Sequence, residues 1–301
     1  MGKISYNDFV KNITMFFLNE SIDVKYMTLR QDKVELLKKQ MSSINSREGL
    51  EAYIRKYDDS LDNLLVILGV STELFKRVTS LFRIQRGMTF STEWDVPRTR
   101  RYALTDEPFM DKLCNLFLSL PDESISANIP EYRLRNFVIN DKIMQRLNND
   151  DFLDFLVGKD FDTNYNSEIS AINSNKVESL LKDICSQQNL YLNITPTVDP
   201  VGNNTRNILV NYTVSSAQGK LPMFYIKTSF ILTTSKGQSD FKRSVQDLRN
   251  YIRNKNETAK QITIIDGAGW IGRQSDLRDV WDYSDFSLNL KTLNKLTEII
   301  K

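Results

Sequence analysis

Residues Ile262–Trp281 read ITIIDGAGWIGRQSDLRDVW. The run Ile262–Ile265 is apolar and β-branched, which predicts a buried strand. It breaks at Asp266-Gly267-Ala268-Gly269 and resumes with Trp270, Arg273 and Arg278. A phosphate-cradling loop, a piece of an active site, and a plain strand-to-helix turn all fit that outline. A P-loop is excluded, because no Gly-Lys-Ser/Thr follows. The letters GAGWIG, from Gly267 to Gly272, do fit the G-x-G-x-x-G dinucleotide pattern. Too little chain remains, however, for a βαβ unit and its acidic residue about 20 positions on. The simplest reading is a strand that ends in a glycine turn.

The chain around this strand sets the fold class. Upstream lie LYLNITPTV, RNILVNYTV and LPMFYIKTSFILTT, rich in β-branched and aromatic residues, which predict strands. SNKVESLLKDICSQQ, with Ser174 as a candidate cap, and the basic stretch SDFKRSVQDLRNYIRNK predict helices, and LNLKTLNKLTEII a closing helix. Pro196 and Pro200, with VDPVGNNT, mark a tight loop between strands. The order helix, three strands, helix, strand, helix points to an α/β (α+β) core over residues 161–301. Residues 1–160 read as mainly helical: YNDFVKNITMFFLNE, LRQDKVELLKKQMSSI, REGLEAYIRKY, SLDNLLVILGV, TELFKRVTSLFRIQ and EPFMDKLCNLFLSL, the last ended by Pro121. Asp62 and Thr72 are candidate N-caps.

Composition narrows the chemistry. The 301 residues contain no histidine, which excludes Ser-His-Asp triads, Cys-His dyads and His-ligated zinc. A metal would have to be held by carboxylates and other oxygens, a donor set suited to Mg²⁺. Cys114 and Cys185 sit in apolar helical patterns and are expected to be buried free thiols, as in a reducing cytoplasm. No run is long and apolar enough for a membrane span, and MGKISYNDF has no apolar signal core; the expected location is cytoplasmic. Forty basic residues against 38 acidic ones give no global preference for a partner, so any nucleic-acid footprint must be local.

Two stretches could carry such a footprint. Arg83–Tyr102 holds five arginines, among them Arg98, Arg100 and Arg101, interleaved with Phe90, Trp94 and Tyr102. Arginine with aromatics can grip phosphates and stack on bases, although a solvated loop with a Trp anchor has the same letters. Ser235–Lys260 holds seven basic residues against Asp240, Asp247 and Glu257. Of these, Lys236, Lys242, Arg243, Arg249 and Arg253 are candidate DNA contacts, and Lys242, Arg249 and Arg253 fall near one helical face.

A wider pattern joins these pieces: DTN at Asp162–Asn164, FYIKTSF at Phe224–Phe230, SKGQSDFKRSV at Ser235–Val245 and DGAGW at Asp266–Trp270. In these motifs the chain resembles the type II restriction endonucleases of the DpnII/MboI family, members of the PD-(D/E)xK nuclease superfamily that cut DNA at GATC. The resemblance implies a mixed-sheet core flanked by helices. It also implies Mg²⁺ held by an Asp on one strand and an acidic residue on the next, with a Lys two residues further on. Antiparallel neighbours with period-two side chains would bring all three to one face.

This chain departs from that pattern at the decisive places. Asn211 stands at the aspartate position, Lys227 at the acidic position and Ser229 at the third. A neutral amide and a cation make a poor divalent-metal site, and Lys227 would repel Mg²⁺. A rebuilt site could use Asp240-x-Lys242 with Glu178, the carboxylates Glu178 and Asp240 serving as metal ligands, although Asp240 also reads as a first-turn residue of a helix.

The resemblance therefore implies a component of a restriction system that acts on double-stranded DNA. It would be either a Mg²⁺-dependent endonuclease or an inactive recognition or scaffold subunit. It would work as a homodimer or with other restriction-system subunits, beside a cognate methyltransferase. The rival reading is a protein-interaction module that does not bind DNA.

Overall fold

A computed structural model of the chain describes residues 2–120, 122–198, 207–234, 236–255 and 258–301. Pro121, Pro200, the residues 201–205, Ser235 and Glu257, which figured in the sequence expectations, lie outside the described residues. The chain divides into two compact units: residues 21–163, and residues 1–20 together with 164–301. The protein is a mixed α/β structure in which the helical unit precedes a five-stranded sheet. No helix among the described residues is long and apolar enough to cross a membrane.

The first unit is helical. After α1 (Tyr6–Lys11), which belongs to the other unit, come α2 (Glu20–Gln40), α3 (Arg47–Lys56), α4 (Ser60–Leu68), α5 (Thr72–Gln85), α6 (Val96–Ala103), α7 (Glu107–Leu118), α8 (Glu123–Ser126), α9 (Glu131–Leu134) and α10 (Asp141–Leu147). Short polar residues start most of them: the side chains of Ser46, Ser71, Asp95, Asp106 and Asn140 each accept a first-turn backbone N–H. The expected caps move by a few positions. Ser71, not Thr72, caps α5, and α4 begins after Asp59, which places Asp62 inside its first turn. The core gathers Leu37, Met41, Leu50, Ile54, Phe75, Phe82, Phe109 and Phe117. Buried Cys114 belongs to it, and Cys185 is buried in the other unit; both are free thiols.

Helix α11 (Asp150–Gln187) has no break at Ser174, the expected cap, which lies in its interior. Past it come β1 (Tyr191–Ile194), β2 (Thr197–Val198), β3 (Ile208–Leu209), β4 (Tyr212–Ser215) and β5 (Phe224–Phe230). Two expected strands are each split in two. Thr195 adopts φ 52°, which ends β1, and the chain breaks again at Val210-Asn211. Then follow α12 (Gly237–Lys255), β6 (Lys260–Asp266), α13 (Ala268–Ile271), α14 (Gln274–Tyr283), β7 (Phe286–Leu288) and α15 (Leu296–Ile299). The expected closing helix begins as a 3-10 helix over Leu290–Lys295, started by an Asn289–Thr292 capping box after β7, and becomes α-helical only at α15.

The sheet order is β1-β4-β5-β6-β7. β1, β4 and β5 are antiparallel neighbours, and β6 and β7 run parallel to β5. Helix α12 supplies the crossover that a parallel β5–β6 pair requires. β5 and β6 are buried on both faces, yet FYIKTSF and KQITIID carry polar residues as well as apolar ones, so Lys227, Ser229, Gln261, Thr263 and Asp266 are buried with them.

The N-terminal residues are held by this sheet unit. The expected long first helix stops at Lys11, because the following segment is bonded to the DGAG turn. Thr14 N–H donates to Asp266 Oδ1, Ala268 N–H donates to Met15 O at 3.2 Å, and Phe17 meets Phe230 edge-on at 6.3 Å.

Candidate functional site

The pleat of β4 and β5 sets the geometry of Asn211, Lys227 and Ser229, the three positions that the sequence resemblance singled out. Tyr212 pairs with Ile226, so Asn211 lies beside Lys227 in the same antiparallel register. Its backbone N–H donates to Ile226 O at 3.2 Å and its Oδ1 accepts Thr228 N–H at 2.9 Å. Lys227 and Ser229 point to one face of the sheet by the period of two. Asn211, Lys227 and Ser229 are therefore neighbours.

Helix α12 and Trp270 close this face. Lys227 is 5% exposed. Its Nζ donates to Leu209 O at 2.6 Å and Ser244 Oγ at 2.8 Å, and lies 5.6 Å from the Phe241 ring centroid. Burial pushes its pKa down to about 8. Ser229 Oγ accepts Trp270 Nε1–H at 3.2 Å. Farther along the face, Gln261 donates to Val245 O, and Thr263 is bonded to Ser284 and Ser287. The face is polar, buried and bonded internally.

The candidate rebuilt site is not brought together. Glu178 lies on α11, paired with Lys182 at 2.7 Å. Its charge raises the pKa of Tyr212, second to burial, and Tyr212 Oη reaches Ser174 O of the same helix. Tyr212 sits one residue from Asn211, on the opposite face of the sheet from Lys227. Asp240 and Lys242 belong to α12, on the Lys227 side. Asp240 is exposed in the first turn of α12. Lys242 bridges to Asp276 at 2.7 Å and Asp279 at 3.2 Å on α14. Among the described residues no three His, Cys, Asp or Glu side chains converge as a metal group would need.

Asp276 was not anticipated from the sequence. It is buried, which alone would raise its pKa, yet Lys242, Arg273 and Ser239 hold it below the usual carboxylate value. Only the partners on another element reveal it.

The DGAGW stretch is structural. Asp266 is fully buried and accepts the backbone N–H groups of Thr14, Gly267 and Leu290. Burial raises its pKa; these donors only moderate the rise. Gly267 has φ 107°, and a Cβ there would stand 2.2 Å from Ile231 O. A Cβ on Gly269 would stand 2.7 Å from Thr233 O. The glycines let the chain leaving β5 cross close over the turn.

The basic candidates divide into two groups. Arg249 pairs with Asp285 at 2.7 Å, and Lys242 is committed as above. Lys236, Arg243 and Arg253 are exposed and carry no ion pair among the described residues. In the helical unit, Arg100 is buried in hydrogen bonds to Ile54 O, Arg55 O and Asp58, while Arg98 and Arg101 are exposed.

No protein-family model matches the chain, and no curated protein matches it either.

Proposed function

We propose that this chain is a non-cleaving, DNA-binding component of a restriction system, built on a nuclease-like core. The observation that carries the reading is the Asn211–Lys227–Ser229 face. The sheet brings these three side chains together, and their groups are an amide, an ammonium and a hydroxyl. Such a set does not fit Mg²⁺: the ammonium repels it, and Lys227 and Ser229 are already bonded to Leu209 O, Ser244 and Trp270. The order of three antiparallel strands, a helix and a parallel strand supports the nuclease-like part of the proposal. The sequence motifs supply its restriction setting, with partner subunits and a methyltransferase as the expected company.

DNA contact falls to Lys236, just before α12, and to Arg243 and Arg253 on it, all exposed and with no ion pair among the described residues. Such cations bind phosphates by releasing counterions, so affinity must fall as salt rises. The purified chain is expected to bind duplex DNA with a linear decrease of log affinity in log salt, and to leave a supercoiled plasmid intact in Mg²⁺. Cleavage by the pure chain, lost in Asp240→Ala or Glu178→Ala, would refute the non-cleaving assignment. Absence of salt-dependent binding would favour a protein-interaction module instead.

A further inference from the structure

The Arg83–Tyr102 stretch contains two buried arginines that the fold treats differently. Arg100 is fully engaged: Nε donates to Ile54 O at 2.8 Å, Nη2 to Arg55 O at 2.8 Å and Nη1 to Asp58 at 2.7 Å. Arg83 is 3% exposed. Its Nη1 reaches Thr92 O at a long 3.4 Å, and its buried Nε has no hydrogen-bond partner among the described residues. The guanidinium is clamped between rings, 3.7 Å from the Phe90 centroid and 3.8 Å from the Trp94 centroid. The rings stabilise its flat faces, but its Nε–H donor is left without an acceptor.

The surrounding carboxylates are engaged elsewhere. Glu93 is bonded to Arg77 and Ser80, and Asp106 to Arg86 and Tyr102. Asp95 caps α6 by accepting Arg98 N–H. The next charge beside the clamp is another cation: Arg98 is exposed, lies 5.2 Å from the Trp94 centroid, and carries no ion pair among the described residues. Burial, and then Arg98, pull the pKa of Arg83 down. A starved buried guanidinium beside a second free one is a poor arrangement for packing alone, because an unpaired buried cation is costly. It is a good one for an anion with several oxygens, which the planar fork of arginine matches.

We infer that Arg83 and Arg98, with the Phe90–Trp94 clamp, form a phosphate-binding site in the helical unit. The group recognised is a phosphate, carried either by a nucleic-acid backbone or by a free phosphate or mononucleotide. The site lies in a different unit from α12 and does not depend on the reading given to that helix.

Trp94 is part of the clamp, so tryptophan fluorescence of the full chain reports occupancy. The titrants are inorganic phosphate, a nucleoside monophosphate and a short DNA duplex, each at ionic strength held constant with chloride. A saturable change is expected in the native chain, absent in Trp94→Phe. Arg98→Gln is expected to bind roughly tenfold more weakly with an unchanged unfolding midpoint, since Arg98 is exposed. Arg83→Lys keeps the charge but loses the fork, and should abolish the response. If that variant fails to fold, Arg98→Gln decides the matter. Saturation by the small anions alone identifies a free phosphate or nucleotide as the source; saturation by the duplex alone identifies backbone phosphate. The inference is overturned if none of the three gives a saturable change, if chloride reproduces it, if it persists in Trp94→Phe, or if Arg98→Gln binds as tightly as the native chain.

Discussion

One face of the five-stranded sheet is mainly apolar, with Ile226, Phe230, Ile262, Ile264 and Leu288 and with Asp266 at its end; the other sets Lys227, Ser229, Gln261, Thr263 and Ser287 among Tyr225 and Ile265. All of these residues are buried. The first face gains stability by removing apolar surface from water. The second can be buried only because nearly every polar group has a partner across α12, α13 or the β7 approach. A polar sheet face sealed in this way has the bonding of a core. That difference teaches that Lys227 and Ser229 must be judged by their partners before their position is given a catalytic meaning.

The turn where β6 leaves both faces gives the hardest test. Gly267→Ala puts a Cβ at 2.2 Å from Ile231 O on a backbone of φ 107°. We expect a loss of about 3–5 kcal/mol in urea unfolding, the sum of backbone strain and overpacking. Gly219→Ala is the matched control. Its φ is 77°, but its Cβ meets open space, so about 1–2 kcal/mol is expected. Equal losses in the two variants would mean that the close crossing over the turn is not what fixes this glycine.

Lys227 tests the polar face itself. Its folded-state pKa is about 8 against 10.5 for the free side chain. Between those values the unfolded chain holds the proton more firmly than the folded one, so unfolding takes up protons and stability rises with pH. The gain from about pH 8 to 10.5 should reach up to ~3 kcal/mol relative to Lys227→Met, which removes the titration. Parallel stability curves for the two proteins across this window would contradict the burial of the ammonium. At neutral pH, Lys227→Met should change stability by about 1 kcal/mol or less, because it removes an unpaired buried charge along with its hydrogen bonds.

Ser229→Ala is a smaller perturbation of the same face. It leaves Trp270 Nε1–H, on a fully buried ring, without its acceptor at 3.2 Å. A loss of about 1–2 kcal/mol is expected in denaturant unfolding. No loss would mean that the hydroxyl does not hold Trp270 in place.

Much of this architecture was legible in the residues. The β-branched runs at Tyr225–Ile226 and Ile262–Ile265, and the amphipathic pattern of Gly237–Lys255, are local signals, and local signals specify elements. Period two put Lys227 and Ser229 on one face of a strand, and only the resemblance set Asn211 beside them. Pro196 marked a loop near the end of β1, but the positive φ at Thr195 leaves no mark in composition, and no Gly or Pro announces the break at Val210. The commitment of Lys242 and Arg249 was hidden too. Their partners Asp276 and Asp285 lie 34 to 36 positions away, on elements that only the tertiary fold brings alongside. The starved state of Arg83 likewise depends on the side chains around it; VTSLFRIQ reads the same for a solvated arginine as for a clamped one.

Within α12 the same contrast narrows to two arginines four positions apart. Arg249 holds Asp285, which also accepts Gln261 N–H at 2.8 Å, so Arg249→Gln weakens the join between α12 and the approach to β7. About 1 kcal/mol is expected, since the pair is half-buried and shares its carboxylate with the backbone. Arg253 is exposed and carries no ion pair among the described residues, so Arg253→Gln should leave stability within about 0.5 kcal/mol. If α12 faces DNA, the effects on binding reverse. Arg253→Gln should weaken duplex binding similarly for all sequences and lower the salt slope by about 1, as loss of one phosphate contact requires. Arg249→Gln should leave that slope unchanged, because its guanidinium is already neutralised by Asp285. A slope that falls for Arg249 and stays fixed for Arg253 would mean that the committed cation, not the exposed one, meets the phosphate.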